Sequence, residues 1–317
     1  MEINRVLVTG TTGFIGSELV PKLLAEGLEV HTLERYVTGR YGLDRNGNVI
    51  NHYANLTDYN KVRSTIKEVQ PEAVIHLAAL SAVSFSYDNY VEVSNANYVG
   101  SLNLAEACRQ EATNFKQFLT AGTSEEYGMA LKDANQKLTE GSPLIPNSPY
   151  AVAKVAFDHY LRYMGLAYDF PYTIMRPFNT YCRKDNKHFF IERTITQMLT
   201  QNKVYLGDPT PIRDWVYVDD HVDAYMKALG NANALKQEFN ISTGKGYTTK
   251  ETAELIAKLT GFKGSILWNQ TPHRPLDAQM LIGDNSKAKR LLDWNPKYNF
   301  EEGLAATIRY WKTKVNK

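Results

Sequence analysis

The chain has 317 residues, 43% hydrophobic and 22% charged, which is ordinary globular composition with room for one large domain or two of usual size. A net charge of +2 gives no basic field to hold nucleic acid, and no apolar run reaches the roughly 18 residues of a membrane span. Two cysteines, Cys108 and Cys182, make no disulfide framework, no Cys/His spacing suggests a metal, and Met1 leads straight into a strand without a signal peptide, so a cytoplasmic setting is expected.

Arg5–Thr9 is a short apolar run and reads as a buried strand, broken by Gly10. Leu19, Val20, Leu23 and Leu24 then give helical spacing over Gly16–Leu24. A second strand fits Glu29–Leu33, and a third is placed to end at Asn55-Leu56. Asp58 is an N-cap candidate for a helix over Asp58–Glu68. Strand Ala73–Leu77, helix Tyr90–Glu111, strand Phe115–Ala121, helix Pro149–Met164 and strand Tyr172–Met175 follow. Strands alternating with helices predict an α/β fold with a parallel sheet covered on both faces. After Pro177 short apolar stretches separate turns such as Gly207-Asp208-Pro209-Thr210-Pro211. The chain therefore divides into 1–175 and a smaller α/β part, mainly 176–317, with a return to the first near 215–240.

Gly10-Thr11-Thr12-Gly13-Phe14-Ile15-Gly16 joins the first strand to the first helix with G-x-x-G-x-x-G spacing. A diphosphate needs backbone N–H groups at close range and no side chain in the way; glycines and a helix N-terminus supply both. This makes 1–175 a Rossmann-type doubly wound sheet for NAD(P), and 176–317 the substrate side. Glu34 closes the second strand, where a carboxylate meets the adenosine ribose and repels a 2′-phosphate, which favours NAD. Arg35 beside it can instead clamp that phosphate, so NADP stays open. Asn55 and Leu56 are placed near the adenine. Leu77, Ala78 and Ala79 are small or apolar residues at a strand end, against which a cofactor can lie, although core packing explains them nearly as well.

Tyr150 and Lys154 form a Tyr-x-x-x-Lys pair on one helix face. With 20 tyrosines in the chain such a pair arises by chance, and Tyr310/Lys314 near the C-terminus is read as the decoy. An ammonium beside a phenol favours the phenolate, which can accept a sugar hydroxyl's proton as hydride leaves. Thr123, Ser124 and Glu125 follow another strand end, where an open parallel sheet binds its ligands. Thr123 can bond the same sugar oxygen. Oxidising C4 acidifies the hydrogen on C5, and a carboxylate at Glu125 can remove it.

With these residues in place the chain resembles extended short-chain dehydrogenases/reductases of the nucleotide-sugar epimerase/dehydratase group, from Gly10 to about Leu304. The glycine loop, His76–Ala79, Tyr150/Lys154 and Arg176-Pro177-Phe178-Asn179 carry the likeness. Thr123-Ser124-Glu125 is the form found in GDP-mannose 4,6-dehydratases and UDP-glucuronate decarboxylases, whereas 4-epimerases usually lack the glutamate. Ser148–Lys154 and the tail from His273-Arg274-Pro275 to Lys289 are similar to GDP-mannose dehydratases. His76–Tyr87 is closer to NDP-N-acetylglucosamine 4,6-dehydratases.

The resemblance implies an NDP-hexose 4,6-dehydratase. Ser124 would hold a position where some dehydratases have an aspartic acid. Asn97 would lie beside the cofactor, Ser81 and Asn179 at the substrate, and Arg213 and Arg274 on the nucleotide or its phosphates. It also implies a homodimer through helices near 90–111 and 150–165. Three positions depart from the group: Cys182 replaces a usual glycine, Asn55 a usual acid, and Glu34-Arg35 a pair of arginines. A 4-epimerase, a UDP-glucuronate decarboxylase and a non-catalytic nucleotide-binding protein remain as alternatives.

Overall fold

The computed structural model describes residues 1–35, 48–131, 133, 136–184, 186–271 and 274–315. Seven strands form one sheet, all pairs parallel: β1 (Arg5–Thr9), β2 (Glu29–Glu34), β3 (Val49–Tyr53), β4 (Ala73–His76), β5 (Gln117–Ala121), β6 (Tyr172–Pro177) and β10 (Gln237–Ile241). Their order is β10-β6-β5-β4-β1-β2-β3, so the winding reverses between β1 and β4. Every central strand is buried on both faces, which is why its sequence is continuously apolar instead of alternating. In β1, Val6 and Val8 join one core with Leu19 and Leu23, while Leu7 joins the other with Ile66, Leu104 and Phe157.

The helices follow from the same pattern. They are α1 (Phe14–Ala25), α2 (Tyr59–Val69), α3 (Val83–Asp88), α4 (Tyr90–Ser94), α5 (Gly100–Glu111) and α6 (Pro149–Tyr168). Asp58 caps α2, accepting from Lys61 N at 3.1 Å. At α6, Ser148 accepts from Ala151 N at 3.2 Å and Pro149 takes the first helical position, where no N–H is needed. The helix expected over 90–111 is interrupted: Asn95–Val99 forms a π turn between α4 and α5. The third strand ends at Tyr53, earlier than expected, because Asn55 accepts from Thr57 N and turns the chain into α2.

Beyond β6 the chain leaves the large sheet. β7 (Asn179–Tyr181), β9 (Ile212–Tyr217), β11 (Gly246–Thr248) and β13 (Met280–Leu281) form a smaller one around β9, and β8 (Lys203–Tyr205) pairs with β12 (Ser265–Leu267). Helices α7 (Phe190–Thr200), α9 (Thr249–Thr260), α10 (Ser286–Leu292) and α11 (Phe300–Val315) complete this region, while α8 (Val218–Ala228) packs back on α1 before β10 rejoins the large sheet. Among the described residues no helix is long and apolar enough to cross a membrane.

Candidate active site

The C-terminal ends of β1, β4, β5 and β6 open on one side, at the reversal of winding, where open α/β sheets take their ligands. After β5 the chain makes one short helical turn, Ser124–Glu126. Thr123 is its N-cap: its hydroxyl accepts from Glu125 N at 3.2 Å, and its own N–H donates to Glu126 Oε1 at 2.8 Å. This reciprocal cap fixes Thr123, Ser124 and Glu125 in a buried loop. The first turn of α6 brings Tyr150 to the same place. The Thr123 hydroxyl faces the phenol and favours its ionised form, and Glu125 lies near enough to oppose it.

Glu125 does not point into solvent; it is 7% exposed. With the Asn147 amide oriented to satisfy both of its ends, its nitrogen donates to Glu125 Oε2 at 3.2 Å and its oxygen accepts from Ala278 N at 3.3 Å. Tyr87 of α3 donates to the backbone oxygens of Asn147 and Leu276. The carboxylate also faces the Arg213 cation. Phenol, hydroxyl and carboxylate thus converge as the sequence suggests.

One electrostatic expectation fails in the protein alone. Tyr150 is held well above the usual phenol range, chiefly by burial, and Lys154 is not what draws it down. The ammonium instead donates to Ala121 O at 2.8 Å, and burial lowers it to about 8. The cations that face the rest of this pocket come from elsewhere. Arg183 lies near Tyr150 and favours its ionised form. Its guanidinium is 3.7 Å from the Phe189 ring centroid and 5.0 Å from that of Phe14 in the glycine loop.

The glycine loop is built for close approach. Gly10 has φ +73°, and a Cβ there would stand 2.7 Å from Ala78 N; at Gly16 it would stand 2.4 Å from Gly10 O. Gly13 is the N-cap of α1 with no side-chain cap, leaving Phe14, Ile15 and Gly16 N–H groups at the helix start. The segment Leu77-Ala78-Ala79 lies against this loop, with Ala78 N donating to Thr9 Oγ1 at 3.2 Å. Glu34 folds onto the loop: its carboxylate accepts from Thr11 N at 2.9 Å, from the Thr11 hydroxyl and from Thr12 Oγ1 at 3.3 Å. Arg35 follows on the exposed side. Asn55 is exposed and spent on its own turn, and Leu56 packs under Gly100. Asn97 is fully buried and clamps Leu80, accepting from its N–H at 2.8 Å and donating to its C=O at 3.0 Å. It therefore acts through the loop after β4 and not as an open ligand group.

Across the cleft, Arg213 and Arg274 share one carboxylate, Asp277, at 3.1 and 3.3 Å. For a third arginine, Arg193 of α7, burial and then the Arg274 cation lower its affinity for a proton, and its Nε is buried without a partner. Asn179 Oδ1 is likewise buried and unpaired. Ser81 is exposed at the rim. His273 lies outside the described residues.

The family model for GDP-mannose 4,6 dehydratase matches residues 7–307. The chain belongs to this family. Among its relatives is a UDP-glucose 4-epimerase from Mycolicibacterium smegmatis, 32% identical, with 98% of this chain and 99% of that one covered. A GDP-mannose 4,6-dehydratase from Yersinia enterocolitica is 28% identical over 96% of this chain and 93% of its own. The Thermus thermophilus UDP-glucose 4-epimerase in complex with NAD superposes with a TM-score of 0.88 at 33% identity, covering 97% of this chain and 99% of that chain. Family membership thus fixes an enzyme fold for nucleotide-sugar dehydratases and epimerases.

Within that family frame, several residues of the candidate site carry little signal in the sequence. Asn147 stands directly before the helix start at Ser148-Pro149 and reads as loop. Arg183 follows the unusual Cys182. Arg193 has no motif around it. Glu126 is hidden by its neighbour Glu125, since two adjacent acids read as one acidic loop.

Proposed function

We propose that this chain is an NAD-dependent nucleotide-sugar 4,6-dehydratase, converting an NDP-hexose to the 4-keto-6-deoxy sugar nucleotide. The observation that carries the reading is Glu125, a carboxylate held inside the pocket by Asn147 and next to Tyr150. A 4-epimerase needs no such base.

The glycine cradle, in which added Cβ atoms would collide with backbone, fits a dinucleotide diphosphate. Glu34 at the edge of that cradle, where a second arginine would be needed to clamp a 2′-phosphate, favours NAD over NADP. NAD bound there would take hydride from sugar C4 and return it to C6. The protein's residues move the protons. Tyr150 takes the proton of the C4 hydroxyl, with Thr123 bonding the same oxygen and Arg183 favouring the phenolate, while Lys154 adds its charge only once cofactor and sugar are bound. Glu125 removes the C5 proton, which the C4 ketone has acidified. Its carboxyl group then gives a proton to the C6 hydroxyl, which leaves as water, and as hydride reaches C6 the C5 carbon regains a proton, balanced by the one Tyr150 took from the C4 hydroxyl. Ser124 is too weak an acid to replace it. Asn179, Arg193, Arg213 and Arg274 hold the diphosphate, and Ser81 the sugar rim. Residues 1–175 with the return segment near 215–240 carry the cofactor, and 176–317 mainly the sugar nucleotide. The enzyme works as a cytoplasmic homodimer.

The test is product mass. Purified protein is incubated with GDP-mannose, UDP-N-acetylglucosamine and UDP-glucose, and one of them loses about 18 mass units, one water. Glu125→Gln should stop water loss by a factor of about 100 or more while C4 oxidation continues. Elimination at the wild-type rate in that variant would overturn the mechanism. The relatives named as UDP-glucose 4-epimerases support a second reading, C4 inversion, in which substrate mass is conserved and Glu125→Gln is tolerated.

A further inference from the structure

Behind the catalytic loop, four charged side chains are buried almost completely: Glu126, Lys154, Asp158 and Arg176. Glu126 Oε2 accepts from Arg176 Nε at 2.9 Å, and its other oxygen holds Thr123 N. Arg176 also donates to Asp158 at 2.5 Å and to the Tyr127 hydroxyl at 2.9 Å. Asp158 continues to Arg162 and so to Glu238, which also meets Lys287 at 3.6 Å. Lys154 makes no ion pair among these bonds. Its ammonium is bound to a carbonyl. Yet Lys154, Glu126 and Asp158 line one small cavity of about 10 Å³, with Thr120, Ala121, Gly122, Phe157 and Ile174 closing it.

Glu126 and Lys154 gain or lose their charges together: the group is neutral with both ionised or with neither, while one ionised alone leaves a net charge in the interior. Asp158 has two cations bonded to it, Arg176 and Arg162, whereas Glu126 has one, Arg176, which it shares with Asp158. The other cation on the cavity that Glu126 lines is Lys154. A buried charge without an opposite charge nearby neutralises itself by gaining or losing a proton.

We propose that Glu126 is the counter-ion that keeps Lys154 protonated, a positioning residue acting through the lysine. The catalytic part of this inference rests on the reading of Lys154 as an electrostatic partner of Tyr150. Burial drives the lysine down to about 8, and Glu126 is the group that pulls the other way. Burial likewise raises Glu126 to about 7, opposed by Arg176 first and then by Thr123 N and Lys154, while Asp158 adds to the rise. His76 on β4 feels the ammonium but stays neutral because it is buried. Tyr150, on the same helix as Lys154, feels Glu126 as a repelling charge, so Glu126 serves the site only by way of the lysine.

The experiment is a titration of Lys154 itself, by carbon-13 NMR of lysine-labelled protein, with Lys154→Arg used to assign its signal. In Glu126→Gln the midpoint should fall from about 8 by on the order of one pH unit. Glu126→Asp keeps the charge but draws it back by one methylene, so its midpoint should fall less and in the same direction. If the glutamine variant fails to fold, because its amide N–H₂ would face Arg176, the aspartate variant decides alone. An unchanged midpoint in a folded variant overturns the proposal. The pH profile of water loss from the sugar nucleotide is recorded beside it. An activity limb that moves down with the lysine supports both the counter-ion and the catalytic reading of Lys154. A limb that stays while the lysine midpoint moves supports the counter-ion and sinks that catalytic reading.

Discussion

Cys182 shows what a single backbone angle costs. Its φ is +75°, in the left-handed region where a Cβ crowds the following carbonyl, at a cost of roughly 1–2 kcal/mol for a residue other than glycine. The position is one where glycine is usual in this group, and the turn that carries the chain from β7 toward Arg183 explains why. The thiol returns part of that cost: it is buried, with the Thr307 and Tyr217 hydroxyls close enough to favour its charged form. Cys182→Ala keeps the strain and loses the sulfur contacts, so it should destabilise by about 1 kcal/mol. Cys182→Gly loses the same contacts and sheds the strain, so it should unfold at higher urea than the alanine variant. The reverse order would mean that the thiol contacts, and not the backbone, set the stability of this turn. The substitution itself is visible in the sequence, but the angle is not, because it belongs to the turn and not to the residue type.

At the level of elements, β1, β2, β4, β5, β6 and the starts of α2 and α6 are legible because local rules fix them: apolar runs, Asp58 and Ser148 as caps, Pro149 at the first turn. By contrast β3, Val-Ile-Asn-His-Tyr, is no apolar run and ends earlier than expected. The π turn at Asn95–Val99 is not, since nothing in Asn-Ala-Asn-Tyr-Val departs from helical composition. Its cause is tertiary. Ala78 N donates to Thr9 Oγ1, which bonds His76 Nδ1 at 2.7 Å; His76 Nε2 reaches Ser101 Oγ at 2.8 Å, and Ser101 donates to Asn97 O at 2.7 Å. This chain of bonds ties β1, β4 and α5 together through a neutral, buried imidazole. Asn97, at the middle of the π turn, turns inward to hold both backbone groups of Leu80. The candidate site is legible to the same degree. Thr123, Glu125 and Tyr150 are readable because each sits at a strand end or a helix start. Glu126, Asn147 and Arg193 are not, because their roles depend on which distant element they meet. Asn97→Leu should cost about 2–4 kcal/mol, since it strands a buried N–H and a buried C=O. The Leu80 amide should lose most of its hydrogen-exchange protection, and a Leu80 amide as slow as in the parent protein would show that the loop is held by other contacts.

For the whole molecule, the helix that presents Tyr150 and Lys154 has a second face that nothing among the described residues covers. Leu166 is 90% exposed, Val152 54% and Tyr163 48%. With His159 they recur at steps of seven, four and three residues, which places them on one side of α6, opposite Ala153, Phe157 and Leu161. Tyr90 and Val91, each 59% exposed, lie on α4, which packs beside α6. Single exposed apolar residues are normal, but two adjacent helices sharing an apolar outer face mark an association surface. A two-fold axis across α4 and α6 would cover this face with its own copy, needing about 800 Å² from each partner for a stable dimer. Sedimentation velocity at micromolar concentration should therefore give a dimer for the natural chain. Leu166→Glu combined with Val152→Glu should give a folded monomer, because each carboxylate would have to be buried without a partner. A natural chain that sediments as a monomer, or a double variant that still sediments as a dimer, would remove this face as the interface. The catalytic consequence follows from α6 itself. Pinning its outer face limits rocking of the first turn, so the monomeric variant should lose turnover more than it loses NAD affinity.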